Sequence, residues 1–173
     1  MVETRAGGGT FVRQVMAGDV ARPLTSLIAR GHDLRDVIEV RGLIEPAIAE
    51  RAALRITEDE LAELREILAE QERRVAGRVS WADEDTRFHE LIGQASRNDL
   101  LVTRLAVIWD VLRSSREEWL QTNSRAHGSV DAHRRILAAL EARDQSAARA
   151  AAAEHIRAVG EGILSMLEKE RRA

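Results

Sequence analysis

Residues 83–92 read Asp83-Glu84-Asp85-Thr86-Arg87-Phe88-His89-Glu90-Leu91-Ile92. Trp81, Phe88, Ile92 and Ala95 mark the apolar stripe of an amphipathic helix through this stretch. Asp85 follows Trp81 by four residues, and His89 precedes Ile92 by three. Both polar side chains therefore fall inside the stripe that faces the core, four apart on one helical face. An acid and an imidazole on a buried face call for a reason.

They have companions. His133 follows Val130 by three residues and precedes Leu137 by four, again inside an apolar stripe. His155 follows Ala148, Ala151 and Ala152 and precedes Val159 and Ile163, in the stripe of the last helix. Three of the five histidines and one aspartate thus point inward from three helices, whereas His32 and His127 fall in a linker and an inter-helix turn. Burial of each such group costs about 2–7 kcal/mol unless a partner satisfies it. Separate hydrogen bonds in the core would account for each one singly, and an arginine could pair Asp85. Taken together, one carboxylate and three neutral imidazoles make an N₃O set for a divalent metal, which satisfies all four at once.

Arg41 is a second anomaly. In the series Leu34, Val37, Ile38, Arg41, Ile44 and Ile48 it stands where a core residue is expected. An inward guanidinium needs an anion. That anion is either an internal glutamate (Glu39, Glu45 or one across the bundle) or a carboxylate or phosphate of a ligand beside the metal.

Around these residues the chain reads as helix after helix. Asp33 caps a helix that contains Pro46, which kinks it or marks a boundary. Thr57-Glu58-Asp59-Glu60 is a capping box that opens a helix to about Val75. Gly77 and Ser80 punctuate, and Ser80 with Asp83 starts the helix of the opening stretch. Arg97-Asn98 breaks the pattern. A long helix follows from Asp99 to about Gln121, with Leu101, Leu105, Ile108, Leu112 and Trp119 inward. Gly128-Ser129 restarts the chain into a helix ending near Arg143, and Asp144 or Ser146 caps a last helix to about Glu170. Six helices with short connections predict an all-α antiparallel bundle. Residues 1–13 differ: two β-prone pieces flank Gly7–Gly9 and read as a hairpin or hairpin fragment, or else as a disordered tail. Residues 14–32, with Gly18, Pro23 and Gly31, read as a linker, and 33–173 as the helical domain.

Composition narrows the function classes. The 173 residues suffice for one domain with a sizeable core, and only 3% are aromatic. With no cysteine there is neither a disulfide framework nor a thiolate metal site, which fits the cytoplasm. No apolar run is long enough for a signal peptide or a membrane span, so no membrane partner is expected. A net charge of −3 gives the chain no overall pull towards nucleic acid.

Four segments then resemble a known pattern. They are Glu39–Ala49 (EVRGLIEPAIA), Asp85–Ile92 (DTRFHELI) with Ala95–Asn98 (ASRN), Ala132–Asp144 (AHRRILAALEARD) and Ala151–Ile156 (AAAEHI). Together they resemble the C-terminal FCD effector domain of the FadR subfamily of GntR-type bacterial transcription regulators, over roughly 33–165. The resemblance implies a helical bundle that forms a homodimer. It implies a metal held by Asp85, His89, His133 and His155, with zinc the first expectation and nickel or manganese the others. It also implies a small carboxylate effector that completes the metal shell and meets Arg41. Members that bind fatty acyl-CoA lack the metal set, so the four ligands here argue against that mode. Val2–Val12 resembles the wing hairpin that ends a winged helix-turn-helix domain. On that reading 1–13 is a remnant, and operator DNA would be bound only through a winged helix-turn-helix absent from this chain, its absence owed to a start-site error, an internal start or a chosen boundary.

The expected function is therefore a ligand-sensing regulatory domain, not an enzyme. Two rivals stand beside it. A metal-dependent hydrolase would want a general base; Glu90 and Glu154 are adjacent to ligands in sequence but aimed elsewhere, and no Gly-x-Ser-x-Gly motif occurs. A metal-free helical dimerisation module would leave the histidines merely satisfied in the core.

Overall fold

The computed structural model describes residues 2–5, 9–12, 34–103, 105 and 123–170. The chain divides into two units, Met1–His32 and Asp33–Ala173. In the first, β1 (Val2–Arg5) and β2 (Gly9–Val12) pair antiparallel, with Val2 opposite Val12 and Arg5 opposite Gly9. The hairpin reading of this stretch thus holds for the backbone. The expected linker 14–32 and the capping of the first helix by Asp33 lie outside the described residues.

The second unit is helical. Its elements are α1 (Leu34–Arg55), α2 (Glu58–Ala76), α3 (Ala82–Ala95), a helical segment at 99–103, α4 (Asn123–Glu141) and α5 (Gln145–Glu170). α1 packs chiefly along α5 and also meets α3; α2 meets α3 and α4, and α4 lies along α5. No helix among the described residues is long and apolar enough to cross a membrane.

Local chemistry explains most boundaries. The predicted capping box forms in full: Thr57 Oγ1 accepts from Glu60 N at 3.2 Å, and Glu60 Oε2 accepts from Thr57 N at 2.9 Å. Asp144 caps α5 by accepting from Ala147 N at 3.0 Å and from the Ser146 hydroxyl at 2.8 Å. Asn98 Oδ1 accepts from Leu101 N at 3.3 Å, so the residue read as a break also opens the next helical segment. Three turns carry an arginine in the left-handed region: Arg78 at φ 55°, Arg97 at 52° and Arg143 at 54°. Two of these place a guanidinium across the junction. Arg97 donates to both carboxylate oxygens of Glu60 at 2.7 and 2.9 Å, and Arg143 donates to the Ile56 carbonyl and to Glu58.

Three expectations change. Pro46 neither ends nor divides α1, which runs unbroken across it. It is buried, and the helix is held from both sides by its neighbours despite the missing N–H. Gly128-Ser129 does not restart the chain, because α4 begins at Asn123 and passes straight through both residues. His127 accordingly sits on the exposed side of that helix and not in a turn. Finally, Trp81 rather than Ser80 is the cap residue of α3, and no side chain caps that end. Of the long helix expected from Asp99, only 99–103 and 105 are described; Leu105 is fully buried and Leu101 half-buried.

The core joins the predicted stripes of α3, α4 and α5 to an apolar face of α2. Leu61, Leu64, Ile67, Leu68 and Val75 face inward from α2, and Phe88, Leu91, Ile92 and Ala95 from α3. Ile136 and Leu140 of α4 and Ala148, Ala152 and Ile156 of α5 complete it. The inward face of α1 is unusual, since it alternates Val37, Ile48, Ala49 and Ala52 with Arg41 and Glu45. That alternation weakens the apolar period that sequence reading depends on.

Candidate metal centre and its cavity

α3, α4 and α5 bring Asp85, His89, His133 and His155 together. One ligand-type atom from each lies within 4.8 Å of all the others, and all four residues are buried. His155 Nε2 is 3.2 Å from His89 Nε2, and His133 Nε2 is 3.6 Å from Asp85 Oδ1. Metal–ligand bonds of about 2.0–2.2 Å at tetrahedral angles set ligand atoms about 3.3–3.6 Å apart. The two observed separations match that edge, so the donor set fits a divalent ion in chemistry and in scale.

A surrounding layer fixes how these rings present their nitrogens. His133 Nδ1 faces Gln71 Oε1 at 2.8 Å. An amide oxygen can only accept, so Nδ1 carries the proton and Nε2 keeps its lone pair towards the cluster. Phe88 stacks on the His133 ring at 4.2 Å and 13° and holds its plane. His89 Nδ1 lies 3.2 Å from Glu45 Oε2, which makes a carboxylate–histidine pair of the kind that orients metal ligands. Ser129 Oγ donates to Asp85 Oδ1 at 3.3 Å.

Arg41 has an internal partner. Its Nε lies 2.5 Å from Glu45 Oε1 and its Nη2 3.3 Å from Oε2, both residues almost fully buried. Of the two readings left open for Arg41, the structure displays the pair with Glu45, on the same helix. It does not remove the second, because Arg41 also lines a cavity of about 230 Å³ beside the cluster. Asp85, His155, Trp81 and Ser129 share that wall, and Arg125 and Arg135 stand on the α4 side.

Charge follows from burial and pairing. Burial, and secondarily the neighbouring His89, pushes the His155 pKa down to about 3, so its imidazole is neutral at pH 7 and in the ligating form. Burial alone would raise the Glu45 carboxyl, but the Arg41 guanidinium and the hydrogen bonds from Arg41 and His89 outweigh it and hold it well below the usual carboxylate range. Burial works against the Arg41 guanidinium too, and Glu45 again prevails and raises it.

Sequence reading missed Glu45 as a link to His89, and it missed Gln71 and Ser129 altogether. Gln71 was open to discovery, since it interrupts the α2 stripe between Leu68 and Val75 as His133 interrupts that of α4. Ser129 carried no such signal. Of the residues weighed for a hydrolase, Glu154 is exposed and faces Arg135 at 3.5 Å, and Glu90 is half-buried on α3.

Comparison with known proteins places the chain. The FCD domain matches residues 36–158. The Uxu operon transcriptional regulator of Escherichia coli K12 is 28% identical over 95% of this chain, which spans 66% of its length. The HTH-type transcriptional regulator LutR of Bacillus subtilis 168 is likewise 28% identical over 95% of this chain, which spans 78% of its length. Among solved structures, Streptococcus agalactiae GntR superposes with a TM-score of 0.66 at 28% identity, covering 92% of this chain and 74% of the other. The chain therefore belongs to the FCD domain family, and the relatives it matches are named as transcriptional regulators.

Proposed function

We propose that this chain is the ligand-sensing domain of a GntR-type transcription regulator, one that binds a divalent metal and a small carboxylate effector. The observation that carries the reading is the convergence of four buried ligand-type side chains from three helices, two of which, Asp85 and His155, line the neighbouring cavity. Asp85, His89, His133 and His155 would hold the ion. The metal, zinc before nickel or manganese, would supply positive charge for an effector carboxylate. Glu45 and Gln71 orient two of the ligands, and Arg41 offers the effector an anion contact on the same wall.

The name of one relative, the galactonate operon transcriptional repressor of Escherichia coli K12, supports a sugar-acid class of effector. Effector occupancy would alter how a homodimer of the full regulator sets two winged helix-turn-helix domains on operator half-sites. Such a regulator acts in the cytoplasm.

Elemental analysis of wild type beside His133→Ala tests the metal. About one ion per wild-type chain and little in the variant is the expected outcome. No ion in either, after incubation with zinc, nickel or manganese, would leave a metal-free helical module. A carboxylate screen by thermal shift follows, in which a true effector raises Tm in proportion to its occupancy.

A further inference from the structure

One carboxylate serves both a guanidinium and a metal ligand. Glu45 Oε1 accepts from Arg41 Nε at 2.5 Å, and Oε2 accepts from Arg41 Nη2 at 3.3 Å and from His89 Nδ1 at 3.2 Å. Glu45 is ionised, so its oxygens only accept, and His89 carries its proton on Nδ1. The lone pair of His89 Nε2 then points into the cluster, 3.2 Å from His155 Nε2. The two partners of Glu45 face different spaces. Arg41 lines the large cavity with Asp85 and His155, whereas Glu45 and His89 line a void of about 10 Å³, the room of about one water. An anion in the large cavity therefore meets Arg41 and not Glu45.

Arg41 and His89 also compete for that carboxylate. A histidine is a stronger metal ligand when its far nitrogen gives its proton to a carboxylate. A carboxylate held on both oxygens by a guanidinium has less charge left for that task. Arg41 therefore weakens a metal ligand that it does not touch. Asp85 acts on Arg41 as well, because its charge favours the guanidinium where it stands on the cavity wall. That pull ends once Asp85 is committed to an ion, and Arg41 is then held by Glu45 with less help.

We propose that Arg41, Glu45 and His89 form a relay between the cavity and the metal cluster: an anion that draws Arg41 off Glu45 leaves the carboxylate to His89 and tightens the metal, and by linkage the bound metal tightens the anion. The relay rests on the proposed function for the ion and for the anion contact at Arg41. It adds a coupling that direct coordination of the effector does not require. Without an anion, Glu45 is the built-in competitor that holds Arg41 back.

The test needs zinc alone first, with affinity read by competition with a chelating dye and folding checked by thermal melts. Glu45→Gln should weaken zinc about 10- to 100-fold, the scale of a lost outer partner. Arg41→Gln should tighten it about tenfold, and the double variant should be no tighter than Glu45→Gln alone. Arg41→Lys keeps the charge but loses the fork, so it should tighten zinc in part; it leaves no buried charge unpaired and carries the test should another variant unfold. A gain from Arg41→Gln that persists in the Glu45→Gln background, with Arg41→Lys equal to wild type, would reduce Arg41 to a charge acting through space and overturn the relay, the metal reading intact. Acetate and galactonate are then added. Either should lower the zinc Kd of wild type about fivefold or more, and that of Glu45→Gln by less. An equal gain in both would assign the coupling to direct coordination and overturn the relay. No gain from either anion in wild type would bring down the anion contact at Arg41, and no zinc in wild type the metal reading, in each case with this inference.

Discussion

The protein uses arginine–carboxylate pairs in two places, and burial makes them different objects. Arg41–Glu45 lies almost wholly out of water and touches a histidine of the candidate metal centre. Arg65–Glu141 and Arg134–Glu72 join helices at distances just as short, 2.6 and 2.8 Å, yet stand in solvent. Water screens the surface pairs and hydrates each partner when the other is removed. The buried pair has no such refuge, so its worth lies in what happens when half of it is lost. Distance alone does not rank interactions in this molecule; access to solvent does.

That contrast can be broken most forcefully at Glu45. Glu45→Ala strands the Arg41 guanidinium in the core and should cost about 3–5 kcal/mol in urea unfolding. The double variant Arg41→Met with Glu45→Leu should recover most of that loss, since apolar side chains of similar volume fill the same space. A single variant no less stable than wild type would remove the buried pair from the account.

Gln71→Leu comes next. It keeps the volume but removes the acceptor that fixes the His133 tautomer, and zinc affinity should fall about 10- to 100-fold by competition with a chelating dye. An unchanged affinity would mean that Phe88 alone orients the ring.

At the surface the effects shrink. Thr57→Ala removes one half of the capping box and should lower stability by about 1 kcal/mol. Glu60 adds a pH signature. Burial would raise its pKa, but hydrogen bonds from Arg97 and Thr57 outweigh burial and lower it. A carboxylate with a depressed folded pKa stabilises fully above its unfolded value, near 4.5, and loses that share as pH falls through the folded value. The stability difference between wild type and Glu60→Gln should therefore be constant from pH 7 to 5 and narrow below 4.5. A difference that widens on acidification would place the folded pKa of Glu60 above its unfolded value. Smallest of all, Arg65→Ala should change stability by less than about 1 kcal/mol, and 0.5 M salt should remove most of that.

The same contrast explains what could be read from sequence. Helix ends and core stripes were legible where one residue type does one local job, as with Thr57 and Glu60 or with Trp81, Phe88 and Ile92. The cluster residues were legible because polar groups in an apolar stripe stand out, which is how Asp85, His89, His133 and His155 were found. The surrounding layer was not, because Glu45 takes its meaning from His89, 44 positions away, and Gln71 from His133, 62 positions away. Gly128-Ser129 misled for a related reason. Glycine is a common helix stop, and only the packing of α4 along α5 overrides that tendency.

Gly128 has a cost and a use. A glycine inside a helix gives up roughly 0.5–1 kcal/mol relative to alanine, and here a Cβ would meet nothing within 4 Å. The helix could hold alanine without strain, but Gly128 also lines the cavity. Alanine there would stiffen the helix and narrow the space beside Ser129. Any effort to thermostabilise this protein by routine glycine replacement would meet a conflict at this position, gaining rigidity while filling part of the cavity.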